Sequence, residues 1–93
     1  MKQWKTKQLK DLSRTLLSLK TEAEMLAFLR DVATLEELGS ISRRWEAARM
    51  IEQGMPYRDI SKHTGLSTAT VTRVAHWIKH GEGGYQTALS RVK

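Results

Sequence analysis

Ninety-three residues, 40% apolar and 28% charged, suffice for one small globular domain and leave no room for a second, catalytic one. The absence of cysteine excludes disulfide staples, thiolate metal sites and cysteine nucleophiles. The net charge of +6 is unevenly placed: six Lys/Arg against one acid over 1–20 (+5), four against seven over 21–56 (−3), six against two over 57–93 (+4). Basic ends suit a polyanionic partner, and equally a solubilising fringe. The longest apolar run, Met25 to Leu29, is far too short to cross a bilayer, so no membrane is expected. The lysines at Lys2, Lys5, Lys7 and Lys10 precede no apolar h-region, so the expected location is cytoplasmic.

In chain order, Leu9, Leu12, Leu16 and Leu19 lie at the 3-4-3 spacing of one helix face, which predicts a first amphipathic helix. Thr21 followed by Glu24, and Thr34 followed by Glu37, have the spacing of capping boxes and open a second and a third helix. The second places Met25, Leu29 and Val32 on one face. The third carries Leu38, Ile41, Trp45 and Ala48 on its stripe and runs up to Gly54. A short fourth helix is expected from about Pro56 to His63, and a fifth from Thr68 to His80, capped by Ser67. Gly81-Glu82-Gly83-Gly84 reads as a flexible hinge before a last helix over 85–93 that packs Leu89 and Val92. Thr70-Val71-Thr72 is β-prone alone, but Leu66, Val71, Val74, Trp77 and Ile78 around it suit a helix face. The expected fold class is all-α with about six helices in a single domain, 1–93. Residues 1–54 would be its dimerisation helices, 56–80 a helix-turn-helix and 85–93 a C-terminal helix. A chain this short hides only roughly 60–68% of its unfolded surface, and its apolar stripes exceed what it can cover alone, so a homodimer is expected.

The stretch from Tyr57 to His76 carries the functional signal. Two helices crossing steeply need a residue at positive φ between them, here Gly65, and a small residue where they touch, here Ser61. They also need inward apolar positions, supplied by Ile60, Leu66, Val71 and Val74. This is the helix-turn-helix pattern, whose second helix enters the major groove of double-stranded DNA. The outward residues of that second helix, Thr68, Ala69, Thr70, Thr72 and Arg73, are short or basic, where an adhesive protein surface would show aromatics or leucines. Arg58 and Lys62 on the first helix can reach a base or flanking phosphates, and Ser67 stands at the groove-side end of the second.

These residues carry a family resemblance. From about Leu35 to Lys79 the chain resembles the tryptophan repressor superfamily, and over its whole length the shorter YerC/YecD-type relatives. The match rests on Arg43, Gln53-Gly54-Met55, Arg58-Asp59-Ile60, Gly65 and Ala69-Thr70-Val71-Thr72-Arg73. The resemblance implies an intertwined dimer built from the first three helices, with the reader heads projecting from it, and a cytoplasmic transcription regulator. It implies that Arg58 reads guanine and that Thr68, Ala69 and Thr72 face base edges. It also implies an effector pocket in which an indole lies between Arg43 and Arg73. There the chain departs from the tryptophan sensor: Val74 and Trp77 stand where that sensor has glycine and serine, and Ala33 where it has a carboxylate-binding threonine. The expectation is that Trp77 stacks on Arg73 and fills the pocket, so that L-tryptophan is not a corepressor.

No Ser-His-Asp spacing, glycine-rich phosphate loop or paired inward carboxylates are present, so no enzyme activity and no cofactor are expected. His76 and His80 have a chelating i,i+4 spacing, but no Cys and no acid on the same helix completes a metal site, and none is expected. The alternative to a DNA-binding regulator, a repressor by the resemblance, is a helical dimerisation or protein-interaction adaptor that uses the first three helices and does not read DNA.

Overall fold

The computed structural model describes residues 3–92; Lys2, named above, and residue 93 of the expected last helix lie outside the described residues. Six helices follow one another, and no strand occurs among the described residues: α1 Lys7–Ser18, α2 Glu22–Val32, α3 Leu35–Glu52, α4 Tyr57–Thr64, α5 Thr68–His80 and α6 Gly84–Arg91. All-α architecture is therefore what the helical periodicity indicated.

Helix starts are set by local chemistry. Thr6 caps α1, its hydroxyl accepting from the Leu9 amide at 3.1 Å. Thr34 and Glu37 form a complete box at the head of α3. The Thr34 hydroxyl accepts from the Glu37 amide at 3.0 Å, and the Glu37 carboxylate accepts from the Thr34 amide at 2.8 Å. These bonds hold the Glu37 carboxyl below its usual pKa, the backbone one most strongly. The box contributes stability above the ordinary carboxylate range and loses it as the pH falls through the lowered pKa. At α2 the box is shifted: Thr21 accepts from the Glu24 amide at 3.1 Å, but the Glu24 carboxylate takes the amide of Lys20, one residue earlier, at 2.8 Å.

By contacts the chain divides into two units, one up to Leu38 and one from Gly39. The first unit holds α1 and α2, neither of which has a buried residue. Leu17 is 85% exposed, and Leu26 and Val32 are also largely open. The second holds the rest of α3 with α4, α5 and α6, and its core is Ala47, Met50, Ile60 and Val71, with Ile51, Met55 and Leu66 packed against it. Leu89 brings α6 into the buried set; Val92, expected beside it, is half exposed.

The glycine segment 81–84 differs from expectation. Gly81 caps α5 at a φ of −87°, and a Cβ there would lie 2.5 Å from the Trp77 carbonyl oxygen. Gly83 takes the positive φ, +85°, and α6 begins at Gly84. What composition marked as a hinge is a defined turn, tied by the Gly81 amide to the Trp77 carbonyl at 2.9 Å and by the Gln86 amide nitrogen to the Ile78 carbonyl at 2.8 Å.

Candidate nucleic-acid interface

The turn between α4 and α5 is fixed from both sides. Gly65 caps α4 at φ +81°, a conformation that opposes any Cβ, and its amide donates to the Ser61 carbonyl at 2.9 Å. The Ser61 hydroxyl donates to the Leu66 carbonyl, so the small residue expected at the crossing also pins the turn. Thr64, buried, donates to the Ile60 carbonyl at 2.8 Å and accepts from the Leu66 amide at 3.2 Å. Sequence patterning missed this second pin, because a threonine in the last turn of a helix is an ordinary residue until its burial is known. Below the turn Ile60 and Val71 are fully buried and Val74 nearly so, which sets the angle at which α5 leaves α4.

That rigid base leaves one face of α5 open. Thr68, Ala69, Thr72 and Arg73 are exposed, as are Arg58 and Lys62 on α4 and Ser67 at the α5 cap; Thr70 is half-buried. Their hydroxyls are not equivalent. Ser67 accepts from the Thr70 amide at 3.1 Å and donates to the Thr70 hydroxyl at 3.0 Å, so these two are engaged in holding the helix start. Thr72 donates to the Thr68 carbonyl at 2.9 Å, which leaves lone pairs and a methyl group facing outward. Such a side chain can accept from a base amino group or lie against a thymine methyl.

The cavity beside α5 is not the one expected. About 290 Å³ remains open between Arg44, Thr70, Arg73, Val74, Trp77 and Tyr85, so Val74 and Trp77 wall the space rather than fill it. The second arginine on this wall is Arg44, not Arg43. Adjacent helical residues point about 100° apart, and the Arg43 guanidinium instead lies back over Gly39, where a Cβ would come within 3.0 Å of it. Trp77 is 54% exposed and meets the His76 ring edge-on at 5.2 Å, in place of the expected stack on Arg73. Tyr85, unremarked in the sequence, is stacked with Trp45 at 6.5 Å between ring centroids. Burial raises its phenol pKa, and the nearby Arg44 charge opposes the rise in part, so the ring stays neutral at physiological pH. A larger apolar cavity, about 450 Å³, opens on the side of Trp45, Trp77, Tyr85 and Ala88.

Among the described residues no group of three or more His, Cys, Asp or Glu is placed to hold a metal ion, and no helix is long and apolar enough to cross a membrane.

A helix pair pinned at Gly65, with a small, polar, outward face on its second member, defines a helix-turn-helix module. The family model described as Trp repressor protein matches residues 7–93, and the chain belongs to the Trp repressor family, one of non-enzymatic regulators. Within it the similarity is to YerC-type proteins: the chain is 41% identical over 87 residues to the uncharacterized protein YerC of Bacillus subtilis (strain 168), covering 94% of this chain and 84% of that one. Its fold is similar to the crystal structure of a TrpR-like protein from Eubacterium eligens ATCC 27750, with a TM-score of 0.88 at 39% identity over 94% of this chain and 90% of that one.

Proposed function

We propose that this protein is a cytoplasmic, sequence-specific DNA-binding transcription regulator, a repressor, that reads the major groove as a homodimer through α4 and α5. The observation that carries this is the exposed face of α5, where Thr68, Ala69, Thr72 and Arg73 stand on a buried base of Ile60, Val71 and Val74. Short side chains let a helix approach base edges closely, and the basic Arg58, Lys62 and Arg73 beside them suit phosphates. The homodimer is supported by α1 and α2, none of whose leucines is fully buried within one chain and of which Leu9, Leu17 and Leu26 stand exposed. Those same leucines would serve an adaptor that binds a protein partner. From Thr68 to Arg73 the face of α5 favours DNA, because that stretch lacks the exposed aromatic or aliphatic anchors on which protein interfaces depend.

Selection of bound sequences from a random duplex pool, with the purified chain alone, tests this. The expected product is a two-fold symmetric site whose half-sites lie roughly 34–36 Å apart, bound with an affinity that falls steeply as salt rises. A pool that stays random, with a flat salt response, would overturn this reading and favour the adaptor.

L-tryptophan is not the corepressor in this proposal. The space beside Arg73 stays open, but Val74 and Trp77 stand on its wall where the tryptophan sensor has glycine and serine, so its shape is not that sensor's. Affinity measured by fluorescence anisotropy is therefore expected to be the same with and without millimolar L-tryptophan. A tenfold tightening, about 1.4 kcal/mol of coupling, would overturn this. Appearance of a response only in the Val74→Gly/Trp77→Ser variant would bear it out.

A further inference from the structure

We propose that the C-terminal half of α5 carries a phosphodiester-binding site in which His76 and His80, with Lys79 and Tyr57, grip the DNA backbone beside the half-site and take up protons from solvent as they do so. This rests on the DNA-binding function proposed above and adds to it a set of residues outside the base-reading face.

The site is a cleft of about 230 Å³ lined by Tyr57 from α4 and by Thr72, Ala75, His76, Lys79 and His80 from α5. Thr72 belongs to the base-reading face, so the cleft continues that face along the helix. His76, Lys79 and His80 are all exposed, and the two imidazole rings lie 4.9 Å apart, tilted by 44°. One anionic oxygen can therefore be met by both rings.

Helix geometry gives the reason for a backbone contact. His76 is about 12 Å further along the axis than Thr68, and His80 about 18 Å. The major groove is only about 8.5 Å deep, so a helix that enters by its first turn has its last turns level with the phosphates that edge the groove. Residues at that height meet the sugar-phosphate chain and no bases.

The charges agree. The walls hold no carboxylate: Asp59 of α4 and Glu82 of the turn after α5 are the acids nearest in sequence, and neither lines the cleft. From α4 the titratable group facing the histidines is the Tyr57 phenol, and from α5 it is the Lys79 ammonium. A phosphodiester favours the charged form of an imidazole that meets it, so protonation and binding favour one another, and imidazoles change charge in the physiological range. Only N–H bonds form, with protons drawn from water.

The experiment is anisotropy with a labelled random-sequence duplex at constant ionic strength, with EDTA, at about pH 6 and about pH 8. The wild type is expected to bind roughly tenfold more tightly at the lower pH. His76→Gln/His80→Gln is expected to lose that dependence, and His63→Gln, which alters the remaining histidine, to keep it. In proton NMR, the imidazole resonances of His76 and His80 should titrate at higher pH with duplex present than without it. Wild-type binding that ignores pH, or pH dependence that survives in the double variant, would overturn this site and leave DNA binding standing. No binding at either pH would overturn both.

Discussion

Replacing Ile60 by alanine is expected to destabilise the unit from Gly39 onward by about 2–5 kcal/mol, the range for emptying a well-packed aliphatic site. Ile60 is wholly inaccessible and joins Ala47 of α3 to Val71 of α5 through one cluster, so the lost methyl and methylene groups leave a hole shared by three helices. In a chain of this size each kcal/mol moves the melting point by roughly 4–8 °C, so the drop should be on the order of 10 °C or more. Ile60→Val, which removes one methylene, should cost about 0.5–1.5 kcal/mol and keep the same order of effect across heat and denaturant. If alanine cost less than valine, Ile60 would not be the keystone of the reader. The functional consequence is separable from folding: the valine variant should bind duplex as the wild type does, because Ile60 offers nothing to the surface.

Arg58→Ala is expected to abolish discrimination at one base pair of each half-site, at a cost of about 1–3 kcal/mol on the selected sequence and little on random duplex. Arg58 stands exposed in the first turn of α4, a helix held by Ile60 and Thr64 on its inner side, so its position is fixed while its guanidinium is free to present a bidentate donor pair. Lys62, one turn on, carries a point charge with no such geometry. Lys62→Ala should weaken all sequences alike and flatten the salt dependence by about one ion. Competition binding with the selected site and with scrambled duplex separates the two. Equal losses on both duplexes for Arg58→Ala would move it from base reading to phosphate contact.

Much of this protein is written in local stretches of its sequence. The bounds of α5 from Thr68 to His80, the capping pair Thr34 and Glu37, and the left-handed Gly65 between α4 and α5 each follow from residues within one or two turns of each other. Backbone preferences and caps act over that distance, so no tertiary information is needed to read them. The Thr21 box shows the margin of that method: the spacing named the right carboxylate, and a small change in chain entry sent it to the Lys20 amide.

What only the tertiary structure decided is which side chains become neighbours across helices. Whether Arg43 or Arg44 joins Arg73 turns on the rotation of α3, and a single residue changes direction by about 100°; Gly39 gives Arg43 a resting place that turns it away. The cavity that Val74 and Trp77 were expected to close stays open because Trp77 leans on His76. Composition could mark 81–84 as glycine-rich, but the 2.5 Å approach to the Trp77 carbonyl is what makes Gly81 obligatory. Local sequence thus determined where this chain is helical and where it must bend, because those choices are settled within a turn of backbone. The angles between helices, and with them the cavity walls and the companions of each arginine, were decided by the packing of Ile60, Val71 and Ala47, contacts between residues too far apart in the chain for any local pattern to set.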